Sequence, residues 1–253
     1  MSIITEIEGD LFDAPEGTAL IHACNCQGSW GKGIAKAFKE KYPAAYQIFR
    51  AHCQQYLSHP QTQTHPRPHP RALKLPEGTA LIIPPQPADY QPQPQTGAAG
   101  AAGTAAQPQP APLSNRGRGR GRGRGTALNG PRGAGATLSR AAGRKHWIIC
   151  LFTSWHYGPR NRSPPEVILE NTRLAVADLK RQIAAAAPPP PPPSAMTAPA
   201  PTATAAGGDG AEQPGELWGC QFNAGLFGVR WERTREVLDE AGLAMTIVRP
   251  PGE

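Results

Sequence analysis

The segment Thr18–Phe38 constrains the fold of this chain more than any other stretch. An apolar run at Ala19–Ile21 predicts a buried strand, and three glycines and a helical pattern of apolar residues follow it. A strand that passes through glycines into a helix gathers backbone N–H groups at the positive end of the helix dipole, which is the geometry that holds a phosphate. The segment therefore predicts one wall of a site for a phosphate-containing ligand.

Short apolar runs alternate with amphipathic patterns along much of the remaining sequence. Strands are predicted at 3–8, 18–22, 78–83, 147–152, 217–222 and 243–248, and helices at 33–41, 43–56, 165–179 and 230–241. This alternation predicts a single α/β domain over 1–253 with a mostly parallel or mixed sheet.

Two stretches of low complexity interrupt the predicted domain. The chain has 30 prolines and 28 glycines, and many of them lie in 58–144 and 187–215. Such composition cannot bury enough apolar surface to offset its ordering entropy, so both stretches are predicted to be disordered insertions, the first with a short strand near 78–83. The basic excess lies in the first insertion, where Arg116–Gly125 is five Arg-Gly pairs. These predict either a weak RNA contact or a merely solvated segment.

Cysteine usage and hydropathy indicate the class of protein and its surroundings. The five cysteines are odd in number and irregularly spaced, and no apolar run is long enough to span a bilayer. We therefore expect a soluble monomer in the cytoplasm, the nucleus or both, without membrane contact. Cys24 and Cys26 lack the spacing of a zinc knuckle and a matching second pair, so they are predicted to be packing residues, with no metal and no cofactor.

Three predicted strands end in residues suited to a ligand site. Gly9-Asp10-Leu11 follows the first strand, His22–Asn25 ends the second, and Asn223–Val229 follows a later one. In an open α/β sheet, ligands bind beyond the carboxyl ends of the strands. Asn223–Val229 is also a glycine-containing turn that enters a helix, so it offers a second set of phosphate-facing amides. Two such loops at one sheet edge suit a diphosphate.

These segments together resemble the macrodomain family. The matching residues are Gly9–Leu11, His22–Asn25, Trp30–Ala35 and Asn223–Val229. More closely, HACNCQGSWGKGIA and NAGLFGVRWERTREVL resemble the fungal ADP-ribose 1''-phosphate phosphatase branch. The resemblance implies a three-layer α/β/α sandwich with a mixed central sheet. It also implies a phosphatase that removes the terminal phosphate of ADP-ribose 1''-phosphate, a by-product of tRNA splicing.

The resemblance also implies a role for each site residue. Asp10 would accept a hydrogen bond from the adenine amino group, Asn25 and Phe227 would meet the distal ribose, and the two glycine loops would hold the diphosphate. His22 is the candidate for acid–base chemistry, because histidine titrates near working pH. The implied substrate-binding residues are Gly9, Asp10, Leu11, Ala23, Cys24, Asn25, Trp30, Gly31, Lys32, Gly33, Ile34, Ala35, Asn223, Ala224, Gly225, Leu226, Phe227, Gly228 and Val229.

Several alternatives stay open at this point. His22 is either catalytic or a core histidine, Asn25 either meets the ribose or ends its strand as an Asx turn, and Lys32 either contacts the phosphates or points away. Phe227 stands where a deglutamylating macrodomain branch carries a catalytic aspartate. The alternative functions are a non-catalytic ADP-ribose reader and, ranked third because of Phe227, a hydrolase of ADP-ribosylated proteins.

Overall fold

The computed structural model describes residues 3–65, 71–91, 143–186 and 213–252. One compact unit comprises 1–92 and 141–253, and a second, 93–140, lies outside the described residues. The strands are β1 (Ile4–Glu8), β2 (Ala19–Asn25), β3 (Thr62–His65), β4 (Arg71–Lys74), β5 (Ala80–Ile83), β6 (Trp147–Ser154), β7 (Leu217–Gly219) and β8 (Met245–Arg249). The α-helices are α1 (Gly33–Lys41), α2 (Pro43–Ser58), α3 (Pro87–Tyr90), α4 (Pro165–Ala186) and α5 (Trp231–Glu240), and a 3-10 helix spans Leu11–Asp13.

Six strands form one mixed sheet in the order β1-β8-β7-β2-β6-β5. The first five are parallel and β5 runs antiparallel to β6, while β3 and β4 form a separate antiparallel pair. The central strand β2 pairs with β7 on one side and with β6 on the other, where His22 lies opposite Cys150. Over the residues described here, no helix combines the length and the apolarity needed to cross a bilayer.

The sheet separates two apolar layers because side chains alternate along its strands. On β2, Leu20 and Cys24 point into a core that includes Phe38 of α1 and Phe49 of α2. Ile21 points to the opposite face, where residues of α4 and α5 complete a second core. This arrangement confirms the predicted three-layer α/β/α sandwich with a mixed central sheet.

The first predicted insertion contains more structure than its composition indicated. The strand predicted near 78–83 is observed as β5, but a hairpin of β3 and β4 and the short helix α3 also lie within 62–90, where disorder was expected. Buried carboxylates hold this stretch in place. Asp89 accepts hydrogen bonds from the amides of Ala44 and Ala45 at the start of α2, and Asp178 of α4 accepts one from the Ala80 amide at 2.9 Å. The amino-acid composition of a sequence segment does not reveal single hydrogen bonds to residues far away along the chain.

Much of both predicted insertions lies outside the described residues. Residues 92–142 and 187–212 lie outside the described part of the chain, and with them the Arg-Gly pairs at Arg116–Gly125. At the outer margins, Gly143 donates to the carbonyl of Asp89, and Gly215 donates to that of Gly17. Gly143 and Gly215 therefore bond to the sandwich close to the point where the described chain resumes after each gap.

Candidate functional site

The carboxyl ends of the parallel strands gather three loops at one edge of the sheet. We call 26–32 after β2 the first loop, 220–230 after β7 the second loop and 155–164 after β6 the third loop. They follow neighbouring strands, because β2 lies between β7 and β6. A Cβ placed on Gly33, where the first loop enters α1, would lie 3.8 Å from Cδ1 of Leu226 in the second loop. The structure therefore brings the two predicted glycine loops together.

Asn25 holds the first loop through its side chain. Its Oδ1 accepts from the amides of Gln27 at 3.0 Å and Ser29 at 3.3 Å, and its Nδ2 donates to the Ser29 carbonyl at 2.6 Å. Asn25 is buried, so the structure places it as the Asx-turn residue of the two alternatives. Its amide group is engaged within the loop rather than presented to a ribose.

Trp30 anchors the same loop in the core, which leaves the following backbone at the surface. The Trp30 indole is 1% exposed and stacks on Phe49 with ring centroids 4.8 Å apart. Residues 31–34 are exposed, and α1 begins at Gly33 with a φ of 57°. No side chain of the described residues caps this helix at Lys32. The first amides of α1, next to the exposed Lys32, are therefore suited to an anionic ligand.

Asn223 holds the second loop in a different way. Its φ is 67°, in the left-handed region, and it is buried. Its Oδ1 accepts from Thr153 of β6 at 2.9 Å, and its Nδ2 donates to Thr172 of α4 at 3.0 Å and to Thr234 of α5 at 3.5 Å. One side chain thus ties the second loop to a strand and two helices.

The tip of the second loop is open, whereas its flanks are packed. Gly225, Leu226 and Gly228 are exposed, and Leu226 keeps 51% of its surface. Phe227 is buried in a cluster with residues of α4 and α5, against Ala23 of β2. The ring predicted to meet the distal ribose therefore belongs mainly to the core beneath the loop.

Arg162 of the third loop supports the second loop and was missed by sequence reasoning. Its Nη1 donates to the carbonyl of Leu226 at 2.8 Å. A Cβ on Gly228 would lie 2.7 Å from the same nitrogen, so a side chain there would make the guanidinium shift, and the φ of 64° favours glycine at this position. The guanidinium places a cation beside the amides of Leu226 and Gly228. Only the positive charge of Arg162 was visible in the sequence, and its distance from residue 226 along the chain hid the contact.

A buried network closes the third loop on itself. Ser154 at the end of β6 donates to the His156 carbonyl at 2.8 Å and accepts from the Ser163 amide at 3.0 Å. Glu77, from the turn between β4 and β5, accepts from Asn171 of α4 at 2.7 Å and from Ser163 at 3.4 Å. These bonds fix the loop that carries Arg162.

Asp10 marks the far end of the same sheet edge. It is exposed, follows β1 and caps the 3-10 helix, where its Oδ1 accepts from the Phe12 amide at 3.0 Å. Leu11 is buried in the core, and Gly9 donates its amide to the Arg249 carbonyl. Because β8 and β7 separate β1 from β2, the axes of β1 and β2 are about 14 Å apart at three strand spacings.

His22 does not reach this edge as an acid–base group must. It has no exposed surface and stacks on Phe38 with ring centroids 4.1 Å apart, while Trp30 lies edge-on at 4.9 Å. A general acid or base needs to come within hydrogen-bond reach of the group it serves, and an enclosed ring cannot. The structure thus argues against the catalytic prediction for His22 and supports the alternative, a core histidine.

Two thiols share the buried surroundings of His22. Cys24 of β2 and Cys150 of β6 both contact its ring. Burial raises the pKa of both thiols. For Cys24 the hydrogen bond from Cys150 and the contact with the His22 ring outweigh burial and lower the pKa, whereas the pKa of Cys150 rises. Cys24 therefore points into the core rather than to the ligand edge.

The comparisons with known proteins agree with the motifs. No family model matches the chain. The "ADP-ribose 1''-phosphate phosphatase" of Ajellomyces capsulatus is 72% identical over 257 residues, which cover 100% of this chain and 98% of the relative. That of Aspergillus fumigatus is 47% identical over 259 residues and covers 99% and 96%. The macrodomain of Mycobacterium tuberculosis DarG aligns over 98% of both chains, with 16% identity and a TM-score of 0.47. From the two fungal relatives it follows that the chain belongs to the fungal ADP-ribose 1''-phosphate phosphatase family, the macrodomain branch that its motifs resemble.

Proposed function

We propose that this protein hydrolyses ADP-ribose 1''-phosphate to ADP-ribose and inorganic phosphate. One observation carries the proposal from the structure. Two glycine loops, each entering a helix that no side chain of the described residues caps, meet at Gly33 and Leu226 on the carboxyl edge of a parallel sheet. Such a pair of amide-lined loops suits a diphosphate. The fungal relatives, at 72% and 47% identity over nearly the whole chain, supply the reaction by name.

The ligand would lie along the sheet edge from β1 to the loops. Asp10 is exposed at the β1 end and can accept a hydrogen bond from the adenine amino group. The amides at the start of α1 and along Ala224–Gly228 would hold the diphosphate. Lys32 and Arg162 contribute positive charge at that end. The predicted binding roles of these residues stay predictions that ligand titration tests.

The reaction requires one water and no covalent enzyme intermediate. The water oxygen attacks phosphorus, the bond from phosphorus to the 1'' oxygen breaks, one water proton remains on the phosphate and the other ends on the released ADP-ribose hydroxyl. That leaving oxygen is anomeric, and an anomeric hydroxyl is more acidic than an ordinary alcohol. Charge stabilisation by aligned amides and by the exposed cations can therefore carry the step without proton transfer from His22.

The direct test is phosphate release by the purified full chain. We expect multiple turnovers on ADP-ribose 1''-phosphate, with ADP-ribose as the second product. If ADP-ribose binds but no phosphate is released, the reader alternative replaces the proposal, and the burial of His22 is the observation that favours it. Release of ADP-ribose from a modified protein instead would favour the third alternative.

A matched pair of glycine variants separates site effects from backbone strain. Gly33 and Gly242 have φ values of 57° and 62°, but only Gly33 lies between the two glycine loops. Alanine should cost each site about 1 kcal/mol of stability. We expect Gly33→Ala to weaken ADP-ribose binding about tenfold, since one lost phosphate contact is worth roughly 1.4 kcal/mol, and Gly242→Ala to bind normally.

The RNA contact at Arg116–Gly125 and the monomeric state stay predictions.

A further inference from the structure

The third loop follows a strand that is farther from β1 than the strands of either glycine loop. In the strand order β1-β8-β7-β2-β6-β5, Asp10 follows β1, the second loop follows β7, the first loop follows β2 and the third loop follows β6. The substrate carries its groups in the order adenine, diphosphate, distal ribose and terminal phosphate. With adenine at Asp10 and the diphosphate at the glycine loops, the terminal phosphate comes to the third loop.

The third loop also contacts both glycine loops. The Trp155 carbonyl accepts from the side-chain amide of Gln27 at 3.0 Å, which joins the third loop to the first. The Arg162 guanidinium donates to the Leu226 carbonyl at 2.8 Å, which joins it to the second. A ligand that the glycine loops hold is therefore next to the third loop.

The ring of His156 has one nitrogen held by the loop and one nitrogen at the surface. Its Nδ1 accepts from the Gly158 amide at 2.9 Å, so the neutral ring carries its hydrogen on Nε2. Nε2 has no hydrogen-bond partner among the described residues, and it is not one of their buried atoms without a partner, so it reaches solvent. The ring stacks on Tyr157 with centroids 4.5 Å apart. His156 therefore presents an oriented N–H donor.

Gly158 connects His156 to Arg162. Its amide donates to the His156 ring, and its carbonyl accepts from the Arg162 amide at 2.8 Å. The Leu226 carbonyl engages Nη1 of Arg162, whereas Nη2 bonds to no group in the part of the chain that the structure describes. One short turn thus carries a neutral donor and a cationic donor.

The charge of the third loop suits an anion. Its residues 155–164 include Arg160 and Arg162 and no Asp or Glu. Of the carboxylates beside it, Glu77 is buried and bonded to Asn171, and Glu166 is paired with an arginine of α5 at 2.8 Å. The positive charge of the loop is therefore available to a phosphate, which arginine binds with charge-assisted hydrogen bonds.

We propose that the third loop binds the terminal phosphate of the substrate, with Nε2–H of His156 and the guanidinium of Arg162 as donors. The identity of this ligand rests on the proposed function. His156 favours ADP-ribose 1''-phosphate over ADP-ribose, whereas Arg162 also supports the second loop and so affects both compounds. During hydrolysis the two donors stabilise charge on the phosphate oxygens, and His156 gives up no proton.

Two amide variants of His156 separate its donor from its bond to Gly158. Asparagine places an acceptor oxygen where Nδ1 lies and has no donor at the position of Nε2. Glutamine places an N–H near the position of Nε2 and loses the bond to Gly158. We expect His156→Asn to lower kcat/KM for phosphate release about thirtyfold, the usual effect of losing one hydrogen bond to a charged group, and His156→Gln to stay within about fivefold of the wild type.

Two controls restrict the effect to the terminal phosphate. Calorimetric titration with ADP-ribose, which lacks that phosphate, should give the wild-type affinity for both variants. His59→Gln changes an exposed histidine at the end of α2, outside the three loops, and should release phosphate as the wild type does. Full turnover in His156→Asn, equal losses in the two His156 variants, or a matching loss of ADP-ribose affinity in His156→Asn would overturn the proposal.

Failure of the proposed function would give a different result, because the wild type itself would release no phosphate. Calorimetry then compares its affinities for ADP-ribose 1''-phosphate and ADP-ribose. The third loop should make the wild type prefer the phosphorylated compound by about tenfold or more, and His156→Asn should lose most of that preference. Equal wild-type affinities for the two compounds would overturn the binding of the terminal phosphate by this loop.

Discussion

The two glycine loops of the candidate site are each held by a buried asparagine, but the two asparagines bond to different parts of the fold. In the first loop, the partners of the Asn25 side chain among the described residues, Gln27 and Ser29, lie within four positions along the chain. In the second loop, the side chain of Asn223 bonds to Thr153, Thr172 and Thr234, which belong to one strand and two helices. The asparagine of the first loop thus acts locally, and Trp30 and the bond from Gln27 to the Trp155 carbonyl connect that loop to the rest of the fold. In the second loop, the asparagine itself makes the bonds to distant elements.

The comparison indicates which groups of the two loops are free to meet the proposed ligand. In both loops the asparagine points inward and supports the turn. The exposed tips carry glycines together with Lys32 in the first loop and Leu226 in the second. Motif residues that suggest side-chain contacts to a ligand, such as Asn25 and Phe227, are engaged in the loop or the core. Peptide amides and the exposed cations are left to meet the anion.

Replacement of the two asparagines should have the largest and most unequal effect. Asn223→Ala leaves three threonine hydroxyls without their buried partner and places alanine in a left-handed conformation, so we expect a loss of about 3 kcal/mol of unfolding free energy and of nearly all activity. Asn25→Ala removes only local bonds and should cost about 1 kcal/mol. Urea unfolding measures both costs, and equal costs would contradict the difference in support.

Loss of the Arg162 contact with the second loop should have the next largest effect. Arg162→Ala removes the bond to the Leu226 carbonyl and one cation, so ADP-ribose affinity should fall about tenfold, with little change in stability. Arg160→Ala, which removes the same charge from an exposed position of the third loop, is the control and should bind normally. Calorimetric titration with ADP-ribose compares the two. Equal losses would mean that net charge alone matters.

A double-mutant cycle tests the contact between Arg162 and Gly228 directly. Gly228→Ala drives a methyl group against the Arg162 guanidinium, so its effect on ADP-ribose affinity should be smaller in the Arg162→Ala background. The strain of the positive φ at Gly228 remains in both backgrounds and therefore cancels in the cycle. Strict additivity of the two changes would show that the contact has no energetic role.

His146, which precedes β6 and contacts the connection after β1, adds a pH dependence of stability. His146 is buried, its Nδ1 lies 2.7 Å from the Tyr42 hydroxyl, and its Nε2 lies 2.9 Å from the Ala14 carbonyl. Burial lowers the pKa of His146 below its ordinary value of 6.5. Because the unfolded chain then takes up the proton first, stability is complete above pH 6.5 and decreases as the pH falls below it.

Thermal unfolding between about pH 8 and pH 5 measures that dependence. His146→Gln should unfold at a lower Tm at pH 8 and show a flatter decline toward pH 5. A residual slope should remain from His52, whose pKa is also lowered by burial. A variant that keeps the full wild-type slope would exclude His146 as its source.

The smallest effect on activity is expected at His22. Leucine has a similar volume, so His22→Leu should cost less than about 1.5 kcal/mol. Turnover should stay within a few fold of the wild type, whereas loss of a general acid or base costs at least about a hundredfold. Phosphate release at matched pH is the measurement. A hundredfold loss in a folded variant would restore the catalytic role that burial argues against.

Much of the fold was predictable because its elements have strong periodic patterns. The helix at Gly33–Lys41 was predicted with its observed bounds, and β2 was found from its apolar run although it continues to Asn25. The alternation of side chains along β2 also predicts the burial of His22. Leu20, His22 and Cys24 share one face of β2, and an apolar face is buried, so the enclosure of His22 follows from period two.

The remaining features depend on contacts between residues far apart in the sequence. Arg162 reaches Leu226, Glu77 reaches Asn171, and Cys150 meets His22, and none of these pairs leaves a local pattern. The pairing of β2 with β6 brings Cys150 beside His22, and no motif of adjacent residues can indicate strand order.

The backbone amides of the two glycine loops provide the most direct test of their proposed role. In isotope-labelled full-length protein, addition of ADP-ribose should shift the amide resonances of 31–35 and 224–228 most strongly, with a smaller response at Asp10. The amides around His22 and Cys150 should move little, since the core is closed. Saturating ADP-ribose that leaves both loops unshifted, or that perturbs the core more than the loops, would contradict a diphosphate held by these amides.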